Sequence, residues 1–222
     1  MCGRFTLAAS AAELATLFDL EDAPALPPRY NIAPSQPVVV ARLDAAGRRH
    51  LALMRWGLIP AWIKEITAGA ALINARSETA AEKPSFRAAF KRRRCLIPAT
   101  GFFEWQKRGD RKQPYLIARQ DGRPFAMAGL WEFWQGGDGS ELTSCTILTT
   151  TANAVVQPLH ERMPVLIDPQ DFADWLEPAT PADLLHHLLR PAPAAGMHAF
   201  PVSAVVNNPA NDTPACLQPL TP

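Results

Sequence analysis

Apolar residues recur at helical spacing only in short segments of the chain, and each segment follows a helix-start signal. Ser10 and Glu13 form a capping-box pattern ahead of Leu14, Leu17 and Phe18, whose spacing places their side chains on one helical face. Proline stands near the first helical position of three further apolar segments, at Pro84, Pro169 and Pro181. The pattern therefore predicts short helices at the periphery of the fold.

Runs rich in β-branched and aromatic residues lie between these helices and are bounded by turn residues. The predicted strands are 38–43, 51–56, 95–97, 115–118, 125–130, 143–149 and 164–167. The 22 prolines favour many short elements over long helices. We expect an α+β fold, a single domain over residues 1–222, with a curved, mostly antiparallel β-sheet or barrel-like core and short peripheral helices.

Composition excludes a disordered chain and a membrane-spanning one. Apolar residues make up 48% and charged residues 19%, as in a globular protein with a sizeable core. No apolar run approaches the ~20 residues that cross a bilayer, and the start lacks a secretory signal pattern. We therefore expect a cytoplasmic protein without membrane contact.

The formal net charge is only +1, so the placement of the charges matters more than their sum. One cationic run covers 91–94, and a second cluster contains Lys107, Arg108, Arg111 and Lys112. Either group has the charge to meet a phosphate backbone. For each group alone, a solvated helix end or a hairpin tip is the simpler interpretation.

The four cysteines are widely separated along the sequence, at Cys2, Cys95, Cys145 and Cys216. They contain no C-x-x-C pair, which argues against a zinc site and against a disulfide framework. Three of them are expected to be plain buried thiols. We expect no metal and no cofactor.

Cys2 is different because it follows the initiator methionine. Removal of Met1 would give Cys2 a free α-amine beside its thiol. An α-amine has a pKa near 8, against about 10.4 for lysine, so a far larger fraction is uncharged at pH 7. Such an amine attacks an aldehyde, and the thiol then closes a five-membered thiazolidine ring on the resulting imine.

Six motifs occur in order along the chain: MCGRF at 1–5, RYNIAP at 29–34, WGLIP at 56–60, NARSET at 74–79, GFFEW at 101–105 and LHERMP at 159–164. Together they resemble the SOS response-associated peptidase (SRAP) family, whose members crosslink to abasic sites in DNA. The resemblance covers the chain from Cys2 to about Pro164. It is weaker beyond, at 201–203 and 206–208.

The resemblance implies a catalytic group made of Cys2, Asn74, Glu104 and His160. Glu104 would accept and return protons beside the Cys2 amine, and His160 would help to open the sugar or protonate a leaving hydroxyl. Asn74 would hold the Cys2 end in place. Each residue also has a plain structural interpretation, as a strand glutamate, a structural histidine or a turn asparagine.

The resemblance also implies residues that bind DNA. Arg4, Arg76 and Arg162 match positions that grip the backbone, as guanidinium groups do at phosphates. Arg76 and Arg162 would serve equally well as partners of buried carboxylates.

Pro34, Trp62 and Trp105 are the candidates on which unpaired bases would stack. Family members often have two adjacent tryptophans at the second of these positions, whereas Trp62 is followed here by Ile63. This difference puts the handling of a flanking duplex or junction in doubt.

The expected function is to form a covalent crosslink with an abasic site in single-stranded DNA, with the protein acting as a monomer that associates with the nucleoid when bound. The same groups would also allow autocatalytic removal of Met1, whereas proteolysis of other proteins has no support in these residues. Two alternatives stay open. One is an N-terminal-nucleophile amidohydrolase or peptidase, because glutamine amidotransferases also begin Met-Cys-Gly, and the other is a noncovalent single-stranded DNA binder.

Overall fold

The computed structural model describes residues 2–67, 69 and 71–220, and two β-sheets with short helices make up this part of the chain. The strands are β1 (Phe5–Leu7), β2 (Arg29–Ile32), β3 (Pro37–Leu43), β4 (Arg49–Trp56), β5 (Asn74–Arg76), β6 (Arg94–Ala99), β7 (Gly101–Arg108), β8 (Arg111–Arg119), β9 (Phe125–Gln135), β10 (Glu141–Thr151), β11 (Arg162–Pro164), β12 (Leu166–Ile167) and β13 (Met197–Pro201). The α-helices are α1 (Ala11–Phe18), α2 (Ser77–Ala80), α3 (Arg87–Arg92), α4 (Phe172–Leu176) and α5 (Ala182–Leu188). The expected α+β fold with a barrel-like core is confirmed.

Five strands of the larger sheet close into a barrel. β10, β4, β3, β6 and β9 are hydrogen-bonded neighbours in that order, and β9 also pairs with β10, which completes the ring. Closure removes the unpaired backbone groups that an open sheet would expose at its edges. The remaining strands of this sheet, β5, β11 and β12, attach to β10 and β9 from outside the ring.

The smaller sheet has the order β13-β8-β7-β1-β2 and is antiparallel throughout. Its β1–β7 pairing places Phe5 opposite Phe102, and the amide of Phe103 donates to the carbonyl of Arg4 at 3.0 Å. Continuing that register toward the amino terminus sets Gly3 opposite Glu104. The pairing of two short motifs thus brings the start of the chain to β7.

A buried polar network holds the carboxyl-terminal segment against β2. The Asn31 side chain is 0% exposed, and its amide nitrogen donates to the carbonyls of Asn208 at 3.0 Å and Asn211 at 2.8 Å. The Asp212 carboxylate accepts from the amide of Asn31 at 3.0 Å and from the side chain of Arg29. This satisfied network fixes residues 206–212 beside the strand that carries the second motif.

The helix-start signals locate the helices correctly. The Ser10 side chain accepts from the amide of Glu13, and the Glu13 side chain accepts from the amide of Ser10, so the predicted capping box precedes α1. Leu14 and Phe18 are buried, whereas Leu17 is half-buried. No helix in the described ranges is long and apolar enough to cross a membrane.

The 91–94 run includes a cation that a phosphate cannot reach. Arg94 is 3% exposed and donates to the carbonyls of Phe90 at 2.6 Å and Trp175 at 2.5 Å, which lie in α3 and α4. Burial lowers the pKa of Arg94 to about 10. Arg93 forms an ion pair with Glu132 at 2.5 Å, so two of the four cations are structural. Only Lys91 and Arg92, which end α3, are exposed, so the interpretation as a solvated helix end is correct for these two cations and wrong for Arg94, which begins β6.

Gly129 is the position at which the barrel tolerates a side chain least. A Cβ atom there would lie 2.9 Å from the Cys95 sulfur, closer than real Cβ atoms approach, and 3.1 Å from the Thr146 carbonyl oxygen, which is a tight contact. We expect Gly129→Ala to lower the free energy of unfolding by about 1–3 kcal/mol through overpacking. Gly137→Ala is the control, because nothing lies within 4 Å of its added Cβ. Urea denaturation compares the two variants, and equal stabilities would contradict the packing described here.

Candidate active site

Cys2 lies buried beside β7, and a neighbouring strand holds its backbone. Its side chain is 0% exposed, and its sulfur lies 3.8 Å from the carbonyl oxygen of Arg4. The side-chain amide of Asn74 donates to the Cys2 carbonyl at 2.9 Å. Asn74 reaches this place because β5 runs parallel to β10, with Asn74 opposite Ile147. The contact is the one that an orienting residue would make.

Glu104 is the buried carboxylate of the site. It is 4% exposed on β7, and burial raises its pKa, while the nearby charge of His160 acts in the opposite direction. The pKa of the Cys2 thiol is also raised, first by burial and then by the negative charge of Glu104. Thiol and carboxylate are therefore close enough to influence each other, and both favour their protonated forms.

His160 ends the segment that connects β10 to β11. Its Nδ1 atom accepts a hydrogen bond from the backbone amide of Arg162 at 2.9 Å. That bond assigns the proton of the neutral imidazole to Nε2. A charge on His160 would lower the pKa of Glu104, so the two titratable side chains lie close together, and we call these two groups the acid–base pair.

A cavity of about 520 Å³ reaches Glu104 and His160, whereas Cys2 is buried and does not itself line it. The cavity is lined by Arg4, Glu104, Trp105, Lys112, His160 and Asn207. An acid–base pair therefore shares one recess with two cations and an aromatic ring. Across the described ranges, no three His, Cys, Asp or Glu side chains are grouped so that they would hold a metal ion.

Arg4 is engaged by the protein itself. Its Nη1 atom donates to the Asn31 side-chain oxygen at 2.9 Å and to the Val206 carbonyl at 2.8 Å. Its guanidinium carbon lies 5.9 Å from the centre of the Trp105 ring. Burial lowers the pKa of Arg4. A bidentate grip on phosphate would require these hydrogen bonds to rearrange, so Arg4 acts in this structure as a fixed cation in the cavity wall.

The other two predicted backbone-binding arginines flank the end of β10. Arg76 of β5 stands opposite Thr149 of β10 and is exposed. Arg162 of β11 stands opposite Thr151 of β10, and its side chain is largely buried. Arg162 forms two hydrogen bonds to Glu78, at 2.6 and 2.8 Å, which lower the pKa of that carboxylate. Arg162 is thus paired with a carboxylate, the role that the sequence left open as an alternative to DNA binding. That carboxylate, Glu78, is exposed and not buried.

The three predicted stacking residues are separated in the fold. Only Trp105 lines the cavity, where its indole nitrogen donates to the Asn207 side-chain oxygen at 2.7 Å. Trp62 is 66% exposed and borders another depression together with Ile63 and Trp134. Pro34 is half-buried. Trp105 is therefore the one of the three that the structure brings together with the acid–base pair.

The sequence motifs contained two site residues to which no role was given. Asn31 lies within the RYNIAP motif and positions Arg4, and Asn207 lies in the weaker carboxyl-terminal resemblance and orients Trp105. Only their positions inside the motifs indicated that these two asparagines belong to the site. Asn207 lies more than a hundred residues from its partner, so no local pattern reveals the contact.

Comparison with known proteins decides the family. The model of the SOS response associated peptidase (SRAP) family matches residues 1–209. The chain belongs to the SRAP family. Among its SRAP relatives, the Bacillus subtilis abasic site processing protein YoqW is 40% identical, with 98% of this chain and 99% of that protein covered. The abasic site processing protein HMCES of Gallus gallus is 37% identical over 87% of this chain and 66% of its own length.

Solved structures agree with this fold. A protein from Bacteroides thetaiotaomicron has a TM-score of 0.86 at 26% identity, with 99% of this SRAP chain and 100% of that chain covered. A protein from Bordetella bronchiseptica has a TM-score of 0.79 at 28% identity, covering 91% and 100%. The barrel and the smaller sheet described above are thus the architecture of solved proteins.

Burial of Glu104 predicts a specific stability profile. A carboxyl whose pKa is raised in the folded state stabilises the fold below its unfolded pKa of about 4.3 and loses that contribution as pH rises through the folded pKa. Glu104→Gln removes this titration. We expect the variant to unfold at a higher urea concentration than wild type at pH 7, with the difference shrinking toward about pH 4.

Glu132→Gln is the matched control, because Glu132 is also buried but is paired with Arg93 at 2.5 Å. Removing that charge leaves half-buried Arg93 without its partner and should destabilise the protein. A Glu104→Gln variant less stable than wild type at pH 7 would contradict the assigned electrostatics.

Proposed function

We propose that this protein processes abasic sites in DNA by forming a covalent bond between Cys2 and the ring-opened sugar aldehyde in single-stranded DNA. One observation supports the proposal most strongly. Cys2 is held by Asn74 next to buried Glu104, which lies close to half-buried His160, and a cation-lined cavity leads to these two side chains. Relatives of the chain are named abasic site processing proteins, in agreement with this chemistry.

The proposed reaction begins with loss of Met1, because the nitrogen of Cys2 is otherwise part of an amide. Met1 lies outside the described residues, so its removal is part of the proposal. The free amine then attacks C1′ of the aldehyde to give a carbinolamine, which loses one water to form an imine. The Cys2 sulfur adds to the imine carbon while the nitrogen takes a proton. The product is a thiazolidine ring, and one water is released overall.

Glu104 is suited to move the protons of this sequence. Burial raises its pKa, which makes its carboxylate a stronger base than an exposed one. The thiol of Cys2 has a raised pKa as well and must give up a proton when its sulfur attacks the imine. A base of raised pKa beside a thiol of raised pKa lowers the cost of that transfer. In the earlier dehydration step, Glu104 in its acid form protonates the departing hydroxyl of the carbinolamine.

His160 supplies the second acid–base group. Because Nδ1 accepts the hydrogen bond from the Arg162 amide, the proton of the neutral ring is on Nε2, on the other side of the ring. An imidazole near Glu104 can donate that proton to the ring oxygen of the sugar while Glu104 takes the proton of the C1′ hydroxyl and returns it to the imidazole. The hemiacetal then opens to the aldehyde with no net change in either side chain. Cys2, Glu104 and His160 thereby divide the roles of nucleophile, base and acid.

The surface around the site fits a single strand better than a duplex. The acid–base pair lies at a recess, so an abasic sugar must leave a helical stack to reach Cys2, whereas a single strand presents it directly. Exposed Arg76, at the end of β10, supplies charge for the backbone independent of base sequence.

Crosslinking tests the proposal directly. Wild-type protein mixed with a uracil-containing single-stranded oligonucleotide and uracil glycosylase is expected to give a band that survives heat and detergent. Cys2→Ala removes the sulfur that closes the ring and should abolish the stable band, whereas Cys145→Ala, at another fully buried cysteine, should retain it. Denaturing electrophoresis is the readout. Crosslinking by Cys2→Ala at the wild-type yield would contradict the thiazolidine mechanism.

Two further arms of the same experiment separate the alternatives. Cys2→Ser keeps the amine, so its imine should become stable only after borohydride reduction, which identifies the amine as the first nucleophile. Ammonia release from glutamine would favour the amidohydrolase instead. Retention of DNA only under native conditions would favour a noncovalent binder.

A further inference from the structure

The β7–β8 hairpin projects a second group of cations next to the cavity. Its register pairs Trp105 with Pro114, Lys107 with Lys112 and Arg108 with Arg111. Directly opposed residues lie on the same face of a hairpin, and neighbours along a strand lie on opposite faces. Trp105, Lys107 and Lys112 therefore share one face, which we name the lysine face, and Arg108 and Arg111 belong to the other.

The cations of the lysine face point into solvent. Lys107 and Lys112 are exposed, and no ion pair to either occurs within the described ranges of the chain. Like charges directly opposite each other on two strands repel and weaken the hairpin. Two unpaired ammonium groups held side by side form a binding surface for a polyanion.

The lysine face is continuous with the site. Lys112 and Trp105 line the same cavity as Glu104 and His160, and the Trp105 indole nitrogen donates to the Asn207 side-chain oxygen at 2.7 Å. Lys107, opposite Lys112, lies two residues beyond Trp105 toward the hairpin tip. The order from the cavity outward is thus an oriented aromatic ring and then a pair of cations.

On the opposite face, one of the two arginines is hydrogen-bonded within the hairpin. Arg108 donates to the Gln106 side chain at 2.9 Å and to the Tyr115 hydroxyl at 2.8 Å. Its guanidinium group is thus partly committed to the hairpin, whereas no hydrogen bond of the Lys107 or Lys112 ammonium group is present in the structure. The two faces carry the same formal charge but differ in how much of it is available.

We propose that the lysine face binds the single-stranded DNA backbone on one side of the abasic site, with one base stacked on Trp105 and phosphates at Lys107 and Lys112. The inference rests on the proposed function and adds the path of the strand. Lysine ammonium groups are flexible point charges, which suits phosphates whose exact position varies with sequence. Base stacking on an aromatic ring combined with a cationic groove is the general means of binding a single strand without sequence preference.

The test compares two double variants that remove equal charge from the two faces of one hairpin. Lys107→Gln with Lys112→Gln changes the lysine face, and Arg108→Gln with Arg111→Gln changes the other. The probe is a fluorescent oligothymidine without an abasic site, titrated at several salt concentrations. The lysine-face variant should bind about tenfold more weakly at 0.1 M salt, with a salt slope reduced by about 1.4 because two phosphate contacts are lost. The arginine-face variant should stay close to wild type.

A second measurement asks on which side of the abasic site, 5′ or 3′, the lysine face binds the strand. Abasic oligonucleotides that extend only to the 5′ side or only to the 3′ side of the lesion are crosslinked at limiting protein. The lysine-face variant should lose yield with one of the two and match wild type with the other. Equal losses on both sides, equal losses in the two double variants, or no loss in either would overturn the inference.

The outcomes are separable from those of the proposed function. Wild-type protein at saturating abasic DNA reports on the crosslink alone, and absence of a stable band there would contradict the chemistry at Cys2. A normal wild-type crosslink together with unchanged oligothymidine binding by the lysine-face variant would overturn only the proposal that the lysine face binds DNA. Urea denaturation of both double variants verifies that each hairpin is folded.

Discussion

The backbone pairing of β1 with β7 determines where the start of the chain lies, and the chemistry depends on that placement. The hydrogen bond from Phe103 to Arg4 extends the register of Phe5 with Phe102, and Glu104 follows directly on β7. Asn74, from a different sheet, then holds the Cys2 carbonyl. Residues at the start of a chain are normally among the least ordered in a protein, and here two strands restrain Cys2 beside a carboxylate.

Burial gives the site its acid–base properties and also costs stability. Cys2 and Glu104 are both withdrawn from water, and the pKa of each group is raised for that reason. Other carboxylates of the fold have arginine partners, as buried Glu132 has Arg93 and half-buried Asp212 has Arg29. Raised pKa values of buried groups are typical of functional sites.

The local parts of this picture were predictable from the sequence, and the nonlocal parts were not. The capping box at Ser10 predicted α1 because both hydrogen bonds lie within four residues. The motifs identified Glu104 and His160 as candidates, and their shared cavity is consistent with those roles, which stay proposals. Closure of the barrel by β9 and β10 and the capture of Arg4 by Asn31 depend on distant segments. No periodicity encodes such contacts, and the same reason explains why strands as short as β1 were missed.

The central claim is that the amine and the sulfur of Cys2 together bind the sugar carbon. Mass spectrometry of the crosslinked, protease-digested complex tests it most directly. The account predicts an amino-terminal peptide that begins at Cys2 and carries the nucleotide, with a mass equal to the sum of both minus one water. An adduct that retains Met1, or a nucleotide attached to any other side chain, would contradict it.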